Sequence, residues 1–350
     1  MDFTLSEELQ MIRDMARDFV MNELLPIERE VLVRDAQPGG ARPEQSRRMP
    51  IPREKMVALK TKAVEQGLWA MNAPEEFGGG GLSALGGCLV AEELGKSFVD
   101  FDFGDVPPQL FDANAEQREK FLKPIIAGEK EIAFAAREPD GDEITTRATH
   151  DAEGWELNGI KIAVQADLFL VIAQTDAGAT CFIVEHQVTQ DGKLVLQKTR
   201  VPDSNVLGEI GGAFALGKKY RNANLVRAGA RKVGVASRLL ELSAQYARDW
   251  KALGQSLAVR PAVQRWLAEM AIEIDAARWL IYRAAVANDA NQDAKADAMR
   301  AHLFASETAQ RAHDRTIEIY GGPAPMMPRV NRDEQILELE RFQIANSLMQ

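Results

Sequence analysis

The chain has 350 residues, 46% of them hydrophobic and 27% charged, which is enough for two or three domains around a substantial core and matches a soluble globular composition. A formal net charge of -10 argues against nucleic-acid or anionic-membrane partners, since both require a basic face. Small molecules or proteins are the expected partners. Cys88 and Cys181 stand too far apart in sequence to suggest a disulfide framework or metal-ligand spacing. No run approaches the roughly 20 apolar residues of a membrane-spanning helix. The acidic, amphipathic start MDFTLSEELQMIRD is unlike a signal peptide, and a cytoplasmic protein is expected.

In chain order, Leu9, Ile12, Ala16 and Val20 recur at helical spacing within residues 5 to 25, with Ser6 as N-cap. The run from Asp35 to Met49, rich in Pro, Gly and Arg and without periodicity, reads as a mobile loop. A second helix is predicted from Arg53 to Gln66 with Gly67 as its stop, and further helices over Ala84 to Gly95 and Ala115 to Ala127. Near Lys130 the period changes to alternation. Strands are predicted over Glu131 to Ala136, Thr145 to His150, Trp155 to Asn158, Ile160 to Val164, Leu168 to Gln174, Thr180 to Glu185 and Lys193 to Gln197. Turn chemistry separates them at residues 151 to 154, at Asn158-Gly159 and at residues 176 to 178. After Val201-Pro202 the pattern returns to long helices. One carries Val226, Ala230, Val233, Leu240, Ala247 and Trp250, and a second Val263, Met270, Ile274, Ala277 and Ile281; the third runs through Met299, Leu303, Ser306, Ala309 and Ile317.

The stretch Thr316 to Ile344, TIEIYGGPAPMMPRVNRDEQILELERFQI, joins a helix end, the pair Gly321-Gly322, a proline-rich loop and Arg332-Asp333 opening a last helix. With the turn LWAMNAPEEFGGGGLS at 68 to 83, EQREKFLKPIIAGE at 116 to 129, NVLGE at 205 to 209 and AEMAIEIDAARWLIYRAA at 268 to 285, it resembles the acyl-CoA dehydrogenase family over essentially the whole chain. The resemblance implies an α+β, mainly α fold: an N-terminal helical domain (1–128), a middle antiparallel β-domain (129–210) and a C-terminal four-helix bundle (211–350). It also implies FAD as cofactor, an acyl-CoA substrate, an electron-transfer flavoprotein as electron acceptor, and homo- or hetero-oligomers through the C-terminal bundle.

Residue by residue the match is uneven. Phe134, Ala136, Arg137, Glu138 and Pro139 occupy the family's flavin-side segment, with Arg137 where a threonine is usual. After Asn158, Gly159 and Lys161, the flavin-stacking Trp-Ile-Thr run is replaced by Ala163, Val164 and Gln165. Trp250, Lys251, Ala252, Leu253 and Gly254 replace an Arg-Lys-x-Phe-Gly turn, so a phosphate-pairing guanidinium becomes a ring. Glu318 stands for a glutamine, whereas Gly321 and Gly322 are retained for close backbone approach to the cofactor. The family's catalytic glutamate follows the Arg-Asp pair by eight residues, a count that reaches Arg341; Glu340 is one position earlier, about 100° away around a helix. The alternative base position, on the first bundle helix, carries Asn224.

Each residue also has an ordinary structural reading. Glu340 is a solvated carboxylate in a charged run, Arg137 pairs with Asp140 or Asp142, His302 and His313 are packed helix residues, and Met326-Met327 line a loop rather than an acyl tunnel. Three functions follow. The first is FAD-dependent α,β-dehydrogenation of an acyl-CoA with Glu340 as base. The second is a non-catalytic subunit pairing with an active relative, and the third another flavin reaction, nitroalkane oxidation or hydroxylation.

Overall fold

The computed structural model describes residues 4–28, 52–139, 141, 143–163, 165–185, 189–190, 192–321 and 344. The run from Asp35 to Met49, Asp140, Asp142, Val164, Gly322, Met326-Met327, Arg332-Asp333, Glu340 and Arg341 lie outside these residues. The chain divides into two compact units, one of residues 1–59, 83–102 and 222–350, the other of residues 60–82 and 103–221.

The first unit is helical. Helix α1 (Glu7–Phe19) starts where the Ser6 hydroxyl accepts the Leu9 amide at 3.3 Å, with Glu7 and Glu8 in its positive first turn. Helix α2 (Arg53–Glu65) stops before Gly67, whose φ of 71° suits a left-handed residue. Helix α3 (Ala84–Gly95) is capped by Ser83 and by Asp289, whose carboxylate accepts the Ala84 and Leu85 amides at 2.7 and 3.0 Å. A short helix α4 spans 115–126 in the other unit. Three long helices follow: α5 (Arg221–Asp249), α6 (Pro261–Asp289) and α7 (Lys295–Tyr320). The predicted stripes bury in part: Val226, Ala230 and Val233 pack with Met270, Ile274, Ala277 and Ile281 and with Ala301, Ala305 and Ala309, whereas Leu240, Leu303 and Ile317 are half-buried and Trp250 is exposed. Ala271 is only half-buried, at the margin of that stripe. The fourth bundle helix expected after Arg332 lies outside the described residues; among them, the fourth member of this core is α3, through Ala84, Cys88 and Ala91. Glycines set that approach, because a Cβ on Gly234 would lie 2.0 Å from the Glu92 carbonyl oxygen.

The second unit is built on one sheet, ordered β6 (Thr189–Gln190), β7 (Lys193–Val201), β3 (Gly154–Ile162), β2 (Arg147–Asp151), β4 (Leu168–Thr175), β5 (Gly178–Glu185) and β8 (Val206–Leu207), with β1 (Ile132–Ala135) also on β4. Most pairings are antiparallel as expected, but β1 and β2 both run parallel to β4. They share one edge of that strand, β1 beside residues 168 to 171 and β2 at Gln174. Strand β4 is buried on both faces: Leu168, Leu170 and Ile172 meet α4, while Phe169, Val171 and Ala173 meet Trp155, Leu157 and Leu196.

Asn158-Gly159 does not turn the chain. The two predicted strands on either side of it are one continuous β3, and the dipeptide faces a bulge in β7 instead, where the register jumps from Leu157↔Thr199 to Gly159↔Leu196. Lys198 takes a φ of 49° there, and its amide donates to the Asn158 side-chain oxygen at 2.8 Å. Glycine is required at 159 by crowding: a Cβ would lie 2.4 Å from the Thr146 hydroxyl oxygen.

Candidate functional site

On β1, β3 and β7 the sheet carries large apolar side chains that the described residues leave exposed. Phe134 pairs with Leu170 and so points to the α4 side of the sheet, while Ile160 pairs with Val195 on the side away from Leu194 and Leu196. Phe134, Ile160, Ile162 and Val195 are all exposed, by 37 to 45%. Alternation normally turns large apolar residues inward. Here β3 inverts that rule: Ile160 and Ile162 face out, and between them Lys161 is wholly buried. Large apolar side chains left in solvent at neighbouring sheet positions are the kind of surface that a partner or ligand covers.

A buried ion pair fixes the edge of the patch. Lys161 Nζ donates to a Glu138 carboxylate oxygen at 2.6 Å and to the Ala136 carbonyl at 3.2 Å. The same carboxylate oxygen accepts the Thr146 amide at 3.1 Å, and the Ile162 amide donates to the Arg137 carbonyl at 2.9 Å. The segment 136–138 is thereby locked to the end of β3. Burial resists ionisation of Glu138, yet the Lys161 ammonium and the Thr146 amide outweigh it and hold the carboxyl below its ordinary value. For Lys161 the loss of hydration dominates, and its pKa falls despite the carboxylate. Among the described residues the second Glu138 oxygen and the Thr146 hydroxyl are buried without a partner at hydrogen-bond geometry, although the hydroxyl is near enough to help lower the carboxyl. Sequence reading passed over this pair as part of a motif; the available signal was a lysine between two isoleucines in a strand.

Phe134, Ala136 and Arg137 come together at this edge, Phe134 and Arg137 exposed and Ala136 half-buried. Gln165 is in the same unit but its amide is committed: its oxygen accepts from the Thr189 amide at 2.7 Å and hydroxyl at 3.1 Å, and its nitrogen donates to the Ala166 carbonyl. Ala163, which stands where the resembled family has a stacking ring, is a buried small residue against the core under β3.

The remaining candidates belong to the helical unit. Gly321 ends α7 with φ of 72°, a C-cap role that needs no ligand. Asn224 accepts from the Arg227 guanidinium at 3.2 Å. His302 is buried and His313 half-buried on α7. Trp250 is half-exposed and stacks on Tyr246, ring centroids 5.6 Å apart, and Tyr246 stacks on Tyr320 at 4.0 Å. It is followed by a hairpin, Lys251–Ala252 with Gln255–Ser256, turned at Leu253 and Gly254. Glu340 and Gly322 lie outside the described residues. The two cysteines are fully buried, and burial pushes both thiols up, Cys181 to about 12.

The described residues thus comprise a unit of long helices and a sheet unit inserted in it along the sequence, the latter carrying exposed apolar side chains beside a buried ion pair. Residues 6–129 match the acyl-CoA dehydrogenase N-terminal domain and residues 222–345 the acyl-CoA dehydrogenase C-terminal domain. The chain belongs to the acyl-CoA dehydrogenase family. It is 30% identical to (R)-benzylsuccinyl-CoA dehydrogenase of Thauera aromatica, over 92% of this chain and 88% of that protein. It is 28% identical to the caffeyl-CoA reductase-Etf complex subunit CarC of Acetobacterium woodii, over 91% and 89%. Butyryl-CoA dehydrogenase from Megasphaera elsdenii shares the fold, with a TM-score of 0.79 and 26% identity over the full length of both chains.

Proposed function

We propose that the chain is an FAD-dependent acyl-CoA dehydrogenase, or one subunit of such an enzyme, that removes the α- and β-hydrogens of an acyl-CoA thioester and passes electrons to an electron-transfer flavoprotein. The observation that carries this reading is the outward apolar face of Phe134, Ile160, Ile162 and Val195 beside the locked segment 136–138. Such a face fits the flat, largely apolar ring system of a flavin better than any polar ligand. Solved relatives include an FAD complex from Bacillus anthracis at 27% identity and a TM-score of 0.80.

When bound, FAD supplies the hydride acceptor for the β-carbon. The chain's own part is position and proton handling. Phe134 and the two isoleucines would offer an apolar floor to the ring, and the segment 136–138, pinned by Lys161, would help hold its edge. The exposed Arg137 guanidinium offers a fixed positive charge at that edge. Gly321 and Gly322 allow backbone approach, and Glu340 is the carboxylate assigned to accept the α-proton.

A second reading keeps the fold but not the turnover: a structural subunit that completes a related, active chain. Two observations favour it. Ala163 supplies no stacking ring, and Gln165 is already bonded to Thr189 and Ala166. One experiment separates the two. The purified chain is assayed for flavin per chain and for bleaching by acyl-CoA thioesters, alongside Glu340→Gln. The first reading expects about one FAD per chain and a fall in bleaching of several orders of magnitude in the variant. Full activity in Glu340→Gln removes its role; a flavin-free chain that binds an active relative supports the structural subunit.

A further inference from the structure

Charge is unevenly spread along the chain. From Ile210 to Leu240 there are seven cations and no carboxylate, although 52 acids in 350 residues would place about four or five in a stretch of that length. Four of the seven are engaged within the helical unit: Arg227 with Asn224, Arg231 with the Phe101 carbonyl, Lys232 with Ser306 and Arg238 with Glu28. The other three, Lys218, Lys219 and Arg221, are exposed, and among the described residues none of them forms an ion pair. The fold does not account for them. Lys218–Tyr220 is the turn that leads into α5, whose first turn carries no acid. Positive charge at a helix start opposes the macrodipole and costs stability. Cations kept unpaired at such a place, in a chain of net charge -10, point to an anion from outside the fold.

The loop that carries them is pinned from below. The Gly211 amide donates to the Thr180 hydroxyl at 2.8 Å and the Gly217 amide to the Asp112 carboxylate at 2.6 Å. Ala213 is in the core that β4 shares with α4, and Leu216 packs against it. With these residues turned inward, Phe214 is left 68% exposed. The Arg221 guanidinium reaches the Phe214 carbonyl at 3.5 Å, and the Lys219 ammonium stands 5.5 Å from the Tyr220 ring, which is set edge-on against Phe111 at 4.9 Å. One exposed ring and three cations are thus presented within eight residues.

We propose that Phe214, Lys218, Lys219 and Arg221 form a subsite for a nucleotide bearing two or more phosphate groups, with the phosphates on the three cations and the base on the face of Phe214. The two lysines supply point charges and the arginine a fork of donors, both suited to phosphate oxygens. A simple anion needs no ring, and an apolar ligand needs no cations; a nucleotide uses both, because every base has a face that stacks on an aromatic side chain. Eight residues are too few for a stable protein interface, which draws on about 20 to 30 a side. Two sources supply this chemistry. One is the nucleotide end of a coenzyme A thioester, in which case the inference rests on the acyl-CoA reading above; the other is a free nucleoside diphosphate.

The test is isothermal titration calorimetry of the purified full-length chain with adenosine, ADP, coenzyme A, dephospho-coenzyme A and inorganic pyrophosphate, with unfolding midpoints measured for every variant. Coenzyme A or ADP should bind at least about 30-fold more tightly than adenosine, and the affinity should fall as salt is raised. Lys218→Glu/Lys219→Glu should weaken this binding at least about 100-fold and the milder Lys218→Gln/Lys219→Gln about tenfold. Phe214→Ala should weaken the nucleotides about tenfold and leave pyrophosphate within about twofold, since it removes a stacking face and no charge. If coenzyme A loses about tenfold or more without its ribose phosphate and ADP is weak, the site belongs to the thioester; if ADP binds as tightly as coenzyme A, it belongs to a free nucleotide. A wild type that binds none of the phosphate compounds overturns the site and leaves the cations to an acidic protein surface. Binding that is unchanged in both lysine variants overturns it as well. Because binding is read without turnover, a chain that bleaches with acyl-CoA but fails these titrations refutes the subsite alone, and one that binds nucleotide through these residues but never bleaches refutes the reaction alone.

Discussion

Replacing Lys161 by methionine keeps the length of the side chain and most of its volume, so the perturbation is electrostatic rather than a cavity. Among the described residues it leaves the buried Glu138 carboxylate with Thr146, whose amide donates to it at 3.1 Å, and without a compensating cation. Breaking one side of a buried ion pair costs about 3 to 5 kcal/mol, a large share of the 5 to 15 kcal/mol that holds a typical domain. The sign of the pH dependence follows from the shifts. In the wild type Glu138 titrates below its ordinary 4.5, so its contribution is complete above that pH and is lost as pH falls through the folded-state value. In Lys161→Met the burial penalty persists without the ammonium, and the folded-state pKa moves above 4.5. The folded variant then takes up protons that the unfolded chain does not, and its deficit shrinks as pH is lowered. Urea unfolding of both proteins at about pH 8 and about pH 5 reads this directly. The deficit should be 3 kcal/mol or more near pH 8 and clearly smaller near pH 5. The double variant Lys161→Met/Glu138→Leu should recover most of the loss, since apolar replacement of a buried pair is often close to neutral. A deficit below about 1 kcal/mol, or one independent of pH, refutes the pair as the lock of this edge.

Two further substitutions probe packing. Ile281 is wholly buried in the helical core, so Ile281→Ala should cost about 2 to 5 kcal/mol, and an unchanged denaturation midpoint rejects its placement. Gly159→Ala puts a methyl group 2.4 Å from the Thr146 hydroxyl oxygen and 2.7 Å from its Cα, at a φ of 155°; a loss of about 1 to 3 kcal/mol is expected, and full stability would show that β2 and β3 can separate there at no cost.

What could be read from the sequence was carried by local signals. Helix α3 ends where predicted, because Ser83 caps one end and the chain's apolar spacing runs to Gly95. The start of α1 is set by Ser6 and the stop of α2 by Gly67 for the same reason. The errors lie where a distant residue overrides a local preference. Asn158-Gly159 carries the strongest short hairpin signature in the chain, but the Asn158 side chain is taken by the backbone of Lys198, forty residues on, and the dipeptide stays within a strand. Of the flavin-side residues, Phe134, Ala136 and Arg137 could be placed together because they are consecutive along one segment. The committed state of Gln165 depends on Thr189 and could not be read from its own neighbourhood.

The stretch Ile160-Lys161-Ile162 is where the ordinary rule fails most completely, and the failure is informative. By alternation the isoleucines belong inside and the lysine in water; the fold does the opposite. Turning the strand over would require moving every side chain from one face to the other, so the inversion is fixed by register and not by chance rotation of one residue. It is also expensive on both sides, exposing two β-branched residues and desolvating an ammonium that, among the described residues, bonds Glu138 and Ala136. A sequence free to optimise stability alone would exchange the two residue types. Local rules are broken in this way chiefly where a site is being built. The face that is made apolar at that cost is the one beside Arg137, whose carbonyl accepts the Ile162 amide at 2.9 Å. On the proposed function, the departures at Ala163 and Gln165 would change how a ring is gripped from one side, while the exposed apolar residues of β3 would still offer it a floor.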